Sequence, residues 1–300
     1  MRDFTLNICP TFYCEKNCDY CYLGVSRKNT AILDINKLEY LLNYTYEYIT
    51  DYYKRTYNED VNIYIEIFGG DLKYLSVEYI NKFFTIIRKF NSFPINIVIN
   101  KLDEKVLSEL KRLCKGNIAI TLNKRRKDYY DNLKWLESHP EFDILTVYFN
   151  DEEFYDILYK LPNNYTKKLN LIQYYPTFYS KHLPLNTKDY LRFYESNFIF
   201  FNNDILNQCL EQTWNPYMDS HIFINPFCQF GSTSYMMDCT ETFLWYNNLD
   251  TWESMCIGEK QLYPTSIWNN IPVEHIRPED PRPYKDLLEA YKNWKDRFTK

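Results

Sequence analysis

The alternation of strands and helices along residues 1–176 limits the fold more than any other feature of the sequence. Runs rich in β-branched and aromatic residues alternate with runs at helical spacing, about every 25 residues. The predicted strands are 3–8, 61–68, 94–100, 117–123, 142–149 and 168–175, and the predicted helices are 34–55, 79–90, 104–114, 129–137 and 151–160. This alternation is typical of βαβ units and a parallel sheet. We therefore assign the chain to the α/β class.

The segment after residue 176 has a different character. Pro184, Pro216, Pro226 and many Asn residues interrupt the pattern there. Regular spacing returns in an amphipathic helix predicted at 284–298, and a short hairpin is predicted near 234–246. We therefore predict two parts, residues 1–176 and an irregular C-terminal extension, 177–300, packed on the first.

Three cysteines, Cys14, Cys18 and Cys21, follow the first predicted strand within eight residues. Their spacing lets one tight loop bring the sulfur atoms together. Thiolates are the soft ligands that select zinc, copper(I) or iron–sulfur clusters. A structural zinc site needs four protein ligands, so Cys9 or a remote His would have to complete one. A cubane cluster held by three cysteines instead leaves one iron open to another ligand.

The motif CxxxCxφC, with Tyr20 as the aromatic residue φ, resembles the cluster motif of the radical S-adenosylmethionine (SAM) enzymes. The resemblance implies a [4Fe–4S] cluster on Cys14, Cys18 and Cys21, with SAM bound to the open iron. In that family SAM is cleaved to a 5′-deoxyadenosyl radical that abstracts hydrogen from a substrate, and the protein binds and orients the cofactors. An open α/β sheet fits the alternation equally well, but the cysteine loop after strand one favours a partial (β/α)6 barrel like the TIM barrel.

The turn Gly69-Gly70-Asp71 follows the second strand and resembles the GGEP motif of the same family. Asp71 stands where the family has Glu, and Leu72 where it has Pro. In the family the glycines let the backbone approach SAM closely. The alternative interpretation of Gly69-Gly70 is a plain turn between a strand and a helix.

Other polar residues at strand ends also resemble SAM-binding positions. Asn100 resembles the Asn of a Thr-Asn-Gly motif, and Thr121 with Asn123 resembles a Ser-Leu-Asp motif that contacts the ribose. Tyr20 matches an aromatic position near the adenine. The alternative is that each polar group satisfies loop backbone. The resemblance implies the following SAM-binding set: Tyr20, Gly69, Gly70, Asp71, Asn100, Thr121 and Asn123.

The sequence from Cys228-Gln-Phe-Gly231 onwards resembles a degenerate SPASM or twitch extension, with Tyr246 or Asn247 in place of the closing cysteine. That resemblance implies a peptide or protein side chain as substrate. A second cluster would use the four C-terminal cysteines in an altered spacing: Cys209, Cys228, Cys239 and Cys256. The alternative is that they are buried core thiols, as we predict for Cys9 and Cys114.

The net charge of −5 gives no broad field to attract a polyanion, which argues against a nucleic-acid substrate. The basic run 124–127 is predicted to be a solvated helix start. The N-terminal residues do not resemble a signal peptide, and no apolar run reaches membrane length. We therefore expect a soluble, cytoplasmic protein from an oxygen-poor setting. Its content of nine cysteines indicates metal binding or catalysis and not disulfide bonds.

The radical SAM resemblance also implies a reducing partner such as flavodoxin or ferredoxin. Two other functions stay open at this point. One is radical SAM modification of a nucleotide or other small metabolite. The other is a non-catalytic protein whose cysteines hold zinc or a structural cluster.

Overall fold

The computed structural model describes residues 1–16, 18, 21, 23–91, 93–162, 165, 169–173, 221–232 and 244–253. These residues fall into two compact units. The first unit contains the described residues of Met1–Asn17, Leu23–Ala119 and Tyr217–Gly258, and the second those of Cys18–Tyr22 and Ile120–Pro216.

Strands and helices alternate along the described chain as the sequence predicts. The strands are β1 (Arg2–Ile8), β2 (Val61–Ile67), β3 (Ile95–Ile99), β4 (Lys115–Thr121), β5 (Asp143–Tyr148), β6 (Leu169–Gln173), β7 (His221–Ile224), β8 (Phe230–Ser232) and β9 (Leu244–Tyr246). The helices are α1 (Ile35–Tyr57), α2 (Val77–Phe90), α3 (Glu104–Cys114), α4 (Tyr129–Ser138) and α5 (Asp151–Lys160). The predicted α/β class is confirmed, because every strand and helix predicted between residues 3 and 175 overlaps an observed one.

In the first unit the strands lie in the order β3-β2-β1-β7-β8-β9. Strands β1, β2, β3 and β7 are parallel, whereas β8 and β9 continue the sheet antiparallel. Strand β7 was not predicted: its four residues pair with β1, from Thr5–His221 to Ile8–Ile224. The C-terminal extension is therefore not wholly irregular, since it adds a parallel strand beside β1.

The two faces of this sheet differ in chemistry. One face is buried and apolar, and Phe4 on it packs edge-to-face against Tyr53 of α1, with ring centroids 5.8 Å apart. Its members are Phe4, Leu6, Ile8, Ile63, Ile65, Ile67, Ile95, Ile97, Ile99, Ile222 and Ile224. Because side chains alternate along a strand, the intervening residues lie on the second face: Thr5, Asn7, Tyr64, Glu66, Asn96, Val98, His221 and Phe223. Central parallel strands are normally apolar on both faces, so this polar second face departs from the usual pattern.

Short polar side chains begin most of the helices, as their preference for N-caps requires. In α1, the Asp34 carboxylate accepts a hydrogen bond from the Asn36 N–H at 3.0 Å. Among the helices that the structure describes, α1 is the longest, with 23 residues. None has the combination of length and apolar character that crossing a bilayer requires.

The Asp34→Ala substitution is expected to lower the free energy of unfolding by about 1 kcal/mol, because the first turn of α1 loses its cap. Urea denaturation measures the change. The control is Asp51→Ala, which removes an exposed pair with Arg55 on the same helix and should cost only about 0.3–0.5 kcal/mol. Equal losses in the two variants would contradict the capping role.

In the second unit, β5 and β6 pair in parallel from Ile144–Leu169 to Tyr148–Gln173. The chain that leaves β4 runs beside β5, since the Leu122 N–H donates to the Leu145 carbonyl at 2.9 Å. The strand ends of β4 and β5 therefore lie together in this unit.

The basic run after β4 is neutralised by carboxylates. Lys124 lies 3.3 Å from Asp156 and Arg125 lies 2.8 Å from Glu153. The Arg126 guanidinium, almost fully buried, pairs with Asp128 at 2.9 Å. Three of the four basic side chains are thus ion-paired, so this run is not a patch of uncompensated positive charge.

Two predicted elements lie wholly or partly outside the described residues. The helix predicted at 284–298 is one of them. The hairpin predicted near 234–246 overlaps β9, whose antiparallel partner β8 begins earlier, at Phe230.

Candidate functional site

The chain that leaves β1 is joined by backbone hydrogen bonds to the turn that follows β2. The Gly70 N–H donates to the Thr11 carbonyl at 2.7 Å, and the Asp71 N–H donates to the Tyr13 carbonyl at 2.9 Å. The two motifs predicted to form the site, the cysteine loop and the Gly-Gly-Asp turn, therefore begin side by side in the first unit.

The same segment is held from its other side by the residues that precede α1. The Leu33 N–H donates to the Pro10 carbonyl at 2.8 Å, and the Cys14 N–H donates to the Arg27 carbonyl at 2.9 Å. The backbone at the first cysteine is thus fixed by residues on both sides of the loop in the sequence.

Both glycines of the turn are required by this close approach of two backbones. Gly69 has φ +119°, a conformation that side chains rarely adopt, and a Cβ there would lie 2.6 Å from the Thr11 carbonyl oxygen and closer still to the Cys9 sulfur. A Cβ on Gly70 would lie 2.6 Å from the carbonyl carbon of Phe12. The resemblance implied that the glycines admit SAM, and the structure shows that they also admit the segment before Cys14.

Asp71 is a buried carboxylate, 2% exposed, at the end of this turn. Its Oδ1 accepts a hydrogen bond from the Lys73 N–H at 3.2 Å, whereas its Oδ2 has no hydrogen-bond partner. Burial raises the pKa of Asp71, against the opposing effects of Lys73, Asn100 and Lys16. The structure therefore brings Asp71 and Asn100 together, and a buried carboxylate oxygen without a partner suits a cationic amino group.

The three cysteines of the motif are all partly exposed. Cys14 belongs to the first unit; Cys18 and Cys21 belong to the second, where the Cys21 N–H donates to the Cys18 carbonyl at 3.3 Å. No three His, Cys, Asp or Glu side chains of the described residues are arranged around a single metal ion. A cubane cluster needs a different arrangement, because each thiolate binds a different iron atom.

Cys9 is a buried core thiol, as predicted, and so is Cys114. The Cys9 Sγ lies 3.2 Å from the Thr11 carbonyl oxygen, to which it donates. Burial raises the pKa of Cys9 well above its usual value. Because metals bind the thiolate, Cys9 is a poor fourth ligand for zinc.

Asn123, in the second unit, uses its amide for the local backbone. Its Nδ2 donates to the Val147 carbonyl at 3.3 Å, and its Oδ1 accepts from the Arg125 N–H at 3.0 Å. The Thr121 carbonyl accepts a hydrogen bond from the Asn132 side chain at 3.3 Å. Asn123 therefore has the alternative role, in which its amide forms hydrogen bonds with backbone groups at the strand ends. Its contact with SAM stays a prediction.

Cys228 lies in the turn between β7 and β8, with φ +63° and its N–H donating to the Asn225 carbonyl at 3.0 Å. Burial raises the pKa of this thiol. The other candidate ligands of a second cluster lie outside the described residues, as does the aromatic residue of the motif: Cys209, Cys239, Cys256 and Tyr20. A second cluster stays a prediction.

One residue on the second face of the sheet was missed by the sequence analysis. Glu66 is a charged residue on the second face of β2, three residues before Gly69. A charged residue inside a central parallel strand was the signal that could have identified it.

Comparisons with known proteins give matches only among solved structures, since neither a family model nor a curated protein matches the chain. Streptococcus suis SuiB bound to precursor peptide SuiA aligns with a TM-score of 0.59 and 15% identity over 83% of this chain and 64% of SuiB. Histidine-tagged anSMEcpe with bound AdoMet aligns with a TM-score of 0.59 and 14% identity over 98% of this chain and 96% of that one. Native anSMEcpe with bound AdoMet and Cp18Cys peptide aligns with a TM-score of 0.59 and 13% identity over 97% of this chain and 96% of that one.

SuiB and anSMEcpe are both radical SAM enzymes. This chain shares the fold of these two enzymes. The partial (β/α)6 barrel predicted from the sequence is therefore confirmed. At 13–15% identity the likeness extends to the fold and not to the chemistry.

Proposed function

We propose that this chain is a radical SAM enzyme that acts on a peptide or protein side chain. A [4Fe–4S] cluster would be held by Cys14, Cys18 and Cys21. In its reduced state such a cluster supplies the electron that cleaves SAM to a 5′-deoxyadenosyl radical. The residues proposed to seat SAM are Tyr20, Gly69, Gly70, Asp71, Asn100, Thr121 and Asn123. Residues 1–176 would form the catalytic part and residues 177–300 the extension.

The observation that carries this proposal is the junction of the two motifs. The hydrogen bonds from Gly70 and Asp71 to the segment before Cys14 fix the Gly-Gly-Asp turn beside the start of the cysteine loop. An enzyme that binds SAM at an open iron needs its amino-acid-binding groups next to the cluster. Asp71 fits that need, since its unpaired buried oxygen can accept from an ammonium group.

The peptide class of substrate is carried over from the structural neighbours. SuiB is bound to the precursor peptide SuiA, and anSMEcpe is bound to a Cp18Cys peptide. The basic run after β4 has little free positive charge with which to bind a nucleotide or other polyanionic substrate, because three of its side chains are paired with carboxylates.

The test is anaerobic reconstitution with iron and sulfide, followed by dithionite and SAM and chromatography for 5′-deoxyadenosine. We expect 5′-deoxyadenosine and about four irons per chain for a single cluster, or about eight with a second one. Binding of zinc alone, without iron or SAM cleavage, would leave a non-catalytic metal-binding protein and would refute the proposal.

The Asp71→Asn substitution is expected to weaken SAM binding by about 10- to 100-fold, because a charge-assisted hydrogen bond contributes about 1.5–3 kcal/mol. Calorimetric titration of the reconstituted protein with SAM measures the change. The control is Asp103→Asn at the start of α3. The Asp103 carboxylate accepts a hydrogen bond from the N–H two residues later in the chain, and the Asp71 carboxylate accepts the same kind of hydrogen bond in its turn. Wild-type affinity in Asp71→Asn would remove Asp71 from the SAM site.

A further inference from the structure

Glu66 lies in the middle of the second face of the sheet in the first unit. In the strand register Asn7 of β1 is the neighbour of both Glu66 and Phe223. Ile67 pairs with Ile97, which places Glu66 beside Asn96 on its other side. Neighbouring residues of parallel strands share a face, so Glu66 belongs to a row of side chains that runs from β7 to β3.

The Glu66 carboxylate is not used by the described part of the protein. No hydrogen bond and no charge of the described residues contributes to its pKa, which is shifted by desolvation. Its side chain is exposed to solvent, and yet the surrounding protein raises its pKa by desolvation.

Asn7 is a second, independent residue of this row with a polar atom that has no hydrogen-bond partner among the described residues. Its side chain is buried, at 5% exposure, and its Nδ2 has no hydrogen-bond partner. Buried amides are nearly always bonded in folded proteins. Adjacent positions of one face thus carry an amide and a carboxylate whose bonding capacity the described residues leave unused.

Apolar side chains lie on the same face, both in this row and towards the strand ends. The rings of Phe68 and Phe223 meet edge-to-face with centroids 5.2 Å apart, and Val98 is 44% exposed. Glu66 lies two residues before Phe68, a depth of about 7 Å along the strand. The four-carbon stem of a lysine side chain covers such a depth.

The described residues supply no cation to Glu66 from this face. The other titratable groups on it, among the described residues, are Asp3 of β1, Tyr64 of β2, His221 of β7 and, just beyond β1, Cys9. Burial lowers the pKa of His221 to about 3 and keeps the Cys9 thiol protonated by raising its pKa. Among the described residues of this face none is therefore positively charged near neutral pH, and a cationic ligand would complete the site.

We propose that Glu66 binds the ammonium or guanidinium group of a lysine or arginine side chain of the substrate, whose stem passes Phe68 and Phe223. This inference rests on the proposed function, because it names the side-chain class of the peptide that the site accepts. The apolar rings would bind the aliphatic stem and Glu66 the charged end, as long basic side chains are commonly bound. Phe68 directly precedes the Gly-Gly-Asp turn, so the stem would lie close to the SAM-binding residues.

The test measures binding of two capped pentapeptides to the reconstituted, SAM-loaded protein by calorimetry. One has lysine between alanines, and the other has norleucine, which keeps the stem and lacks the charge. We expect the lysine peptide to bind wild type about tenfold tighter or more, and Glu66→Gln to reduce the ratio to about one with the norleucine affinity unchanged. Glu66→Asp, which keeps the charge, should retain part of the preference, and an arginine peptide should behave like the lysine peptide.

The control variant is Glu47→Gln, which removes an equal charge from the exposed surface of α1 and should leave the ratio at its wild-type value. Equal affinities of the two peptides for wild type overturn the inference, and so does a lysine preference that survives Glu66→Gln. Formation of 5′-deoxyadenosine without peptide is measured in parallel. A lysine preference without any cleavage would refute the proposed function and leave Glu66 as a binding site for a basic side chain. Normal cleavage without a lysine preference would refute this inference alone.

Discussion

The Cys18→Ala substitution is expected to abolish cleavage of SAM while the protein stays folded. The thiolate is the part of Cys18 that would bind iron, and without it the cubane would keep only two of its three protein ligands. The backbone carbonyl of Cys18 accepts from the Cys21 N–H at 3.3 Å, and alanine keeps that carbonyl. We expect 5′-deoxyadenosine to fall by more than about 100-fold, beyond the 10- to 100-fold typical of groups that only support a ligand.

Cys114→Ala is the matched control for this prediction. Cys114 is a fully buried thiol at the end of α3, and burial raises its pKa to about 12. Its loss should reduce stability without changing the iron content per folded chain. Iron analysis, visible absorbance and chromatography are applied to both variants. Wild-type amounts of 5′-deoxyadenosine from Cys18→Ala would remove Cys18 from the cluster.

The order of strands and helices could be predicted because each carries its own local signal. Strand β2 alternates Ile63, Ile65 and Ile67 with other residues, and helix α3 begins after a capping Asp103. Strand β7 could not be predicted in this way. It has four residues close to Pro226, and it forms because β1 offers a parallel edge more than two hundred residues earlier in the chain. Non-local pairing of this kind leaves little trace in the local sequence.

The location of the candidate site at a set of strand ends could be predicted from the sequence. The role of each residue there could not. The sequence places Asp71 and Asn100 after neighbouring strands, and the structure brings them together. The same reasoning assigned Asn123 to SAM, whereas in the structure its amide bonds the backbone at Val147 and Arg125. Polar groups at strand ends serve loop and ligand alike, and only their partners distinguish the two roles.

The Gly70→Ala substitution is expected to disrupt both the stability of the first unit and the cluster site. An added Cβ would meet backbone atoms, among them the carbonyl carbon of Phe12 at 2.6 Å, so no side chain can move away to relieve the contact. We expect the free energy of unfolding to fall by about 3 kcal/mol, as for an overpacked interior position. Because Gly70 and Asp71 hold the segment that leads to Cys14, we also expect less iron per folded chain.

Gly116→Ala separates these two effects, because it creates an equivalent clash elsewhere in the first unit. A Cβ on Gly116 would lie 2.5 Å from the Ile95 carbonyl oxygen, between β3 and β4 and outside the cysteine segment. Both variants should lose stability in chemical denaturation of the apo protein, but only Gly70→Ala should bind less iron under conditions where each is folded. Equal iron binding by the two variants would mean that the turn supports the fold without shaping the cluster site. A deficit confined to Gly70→Ala would show that the turn after β2 positions the first cysteine.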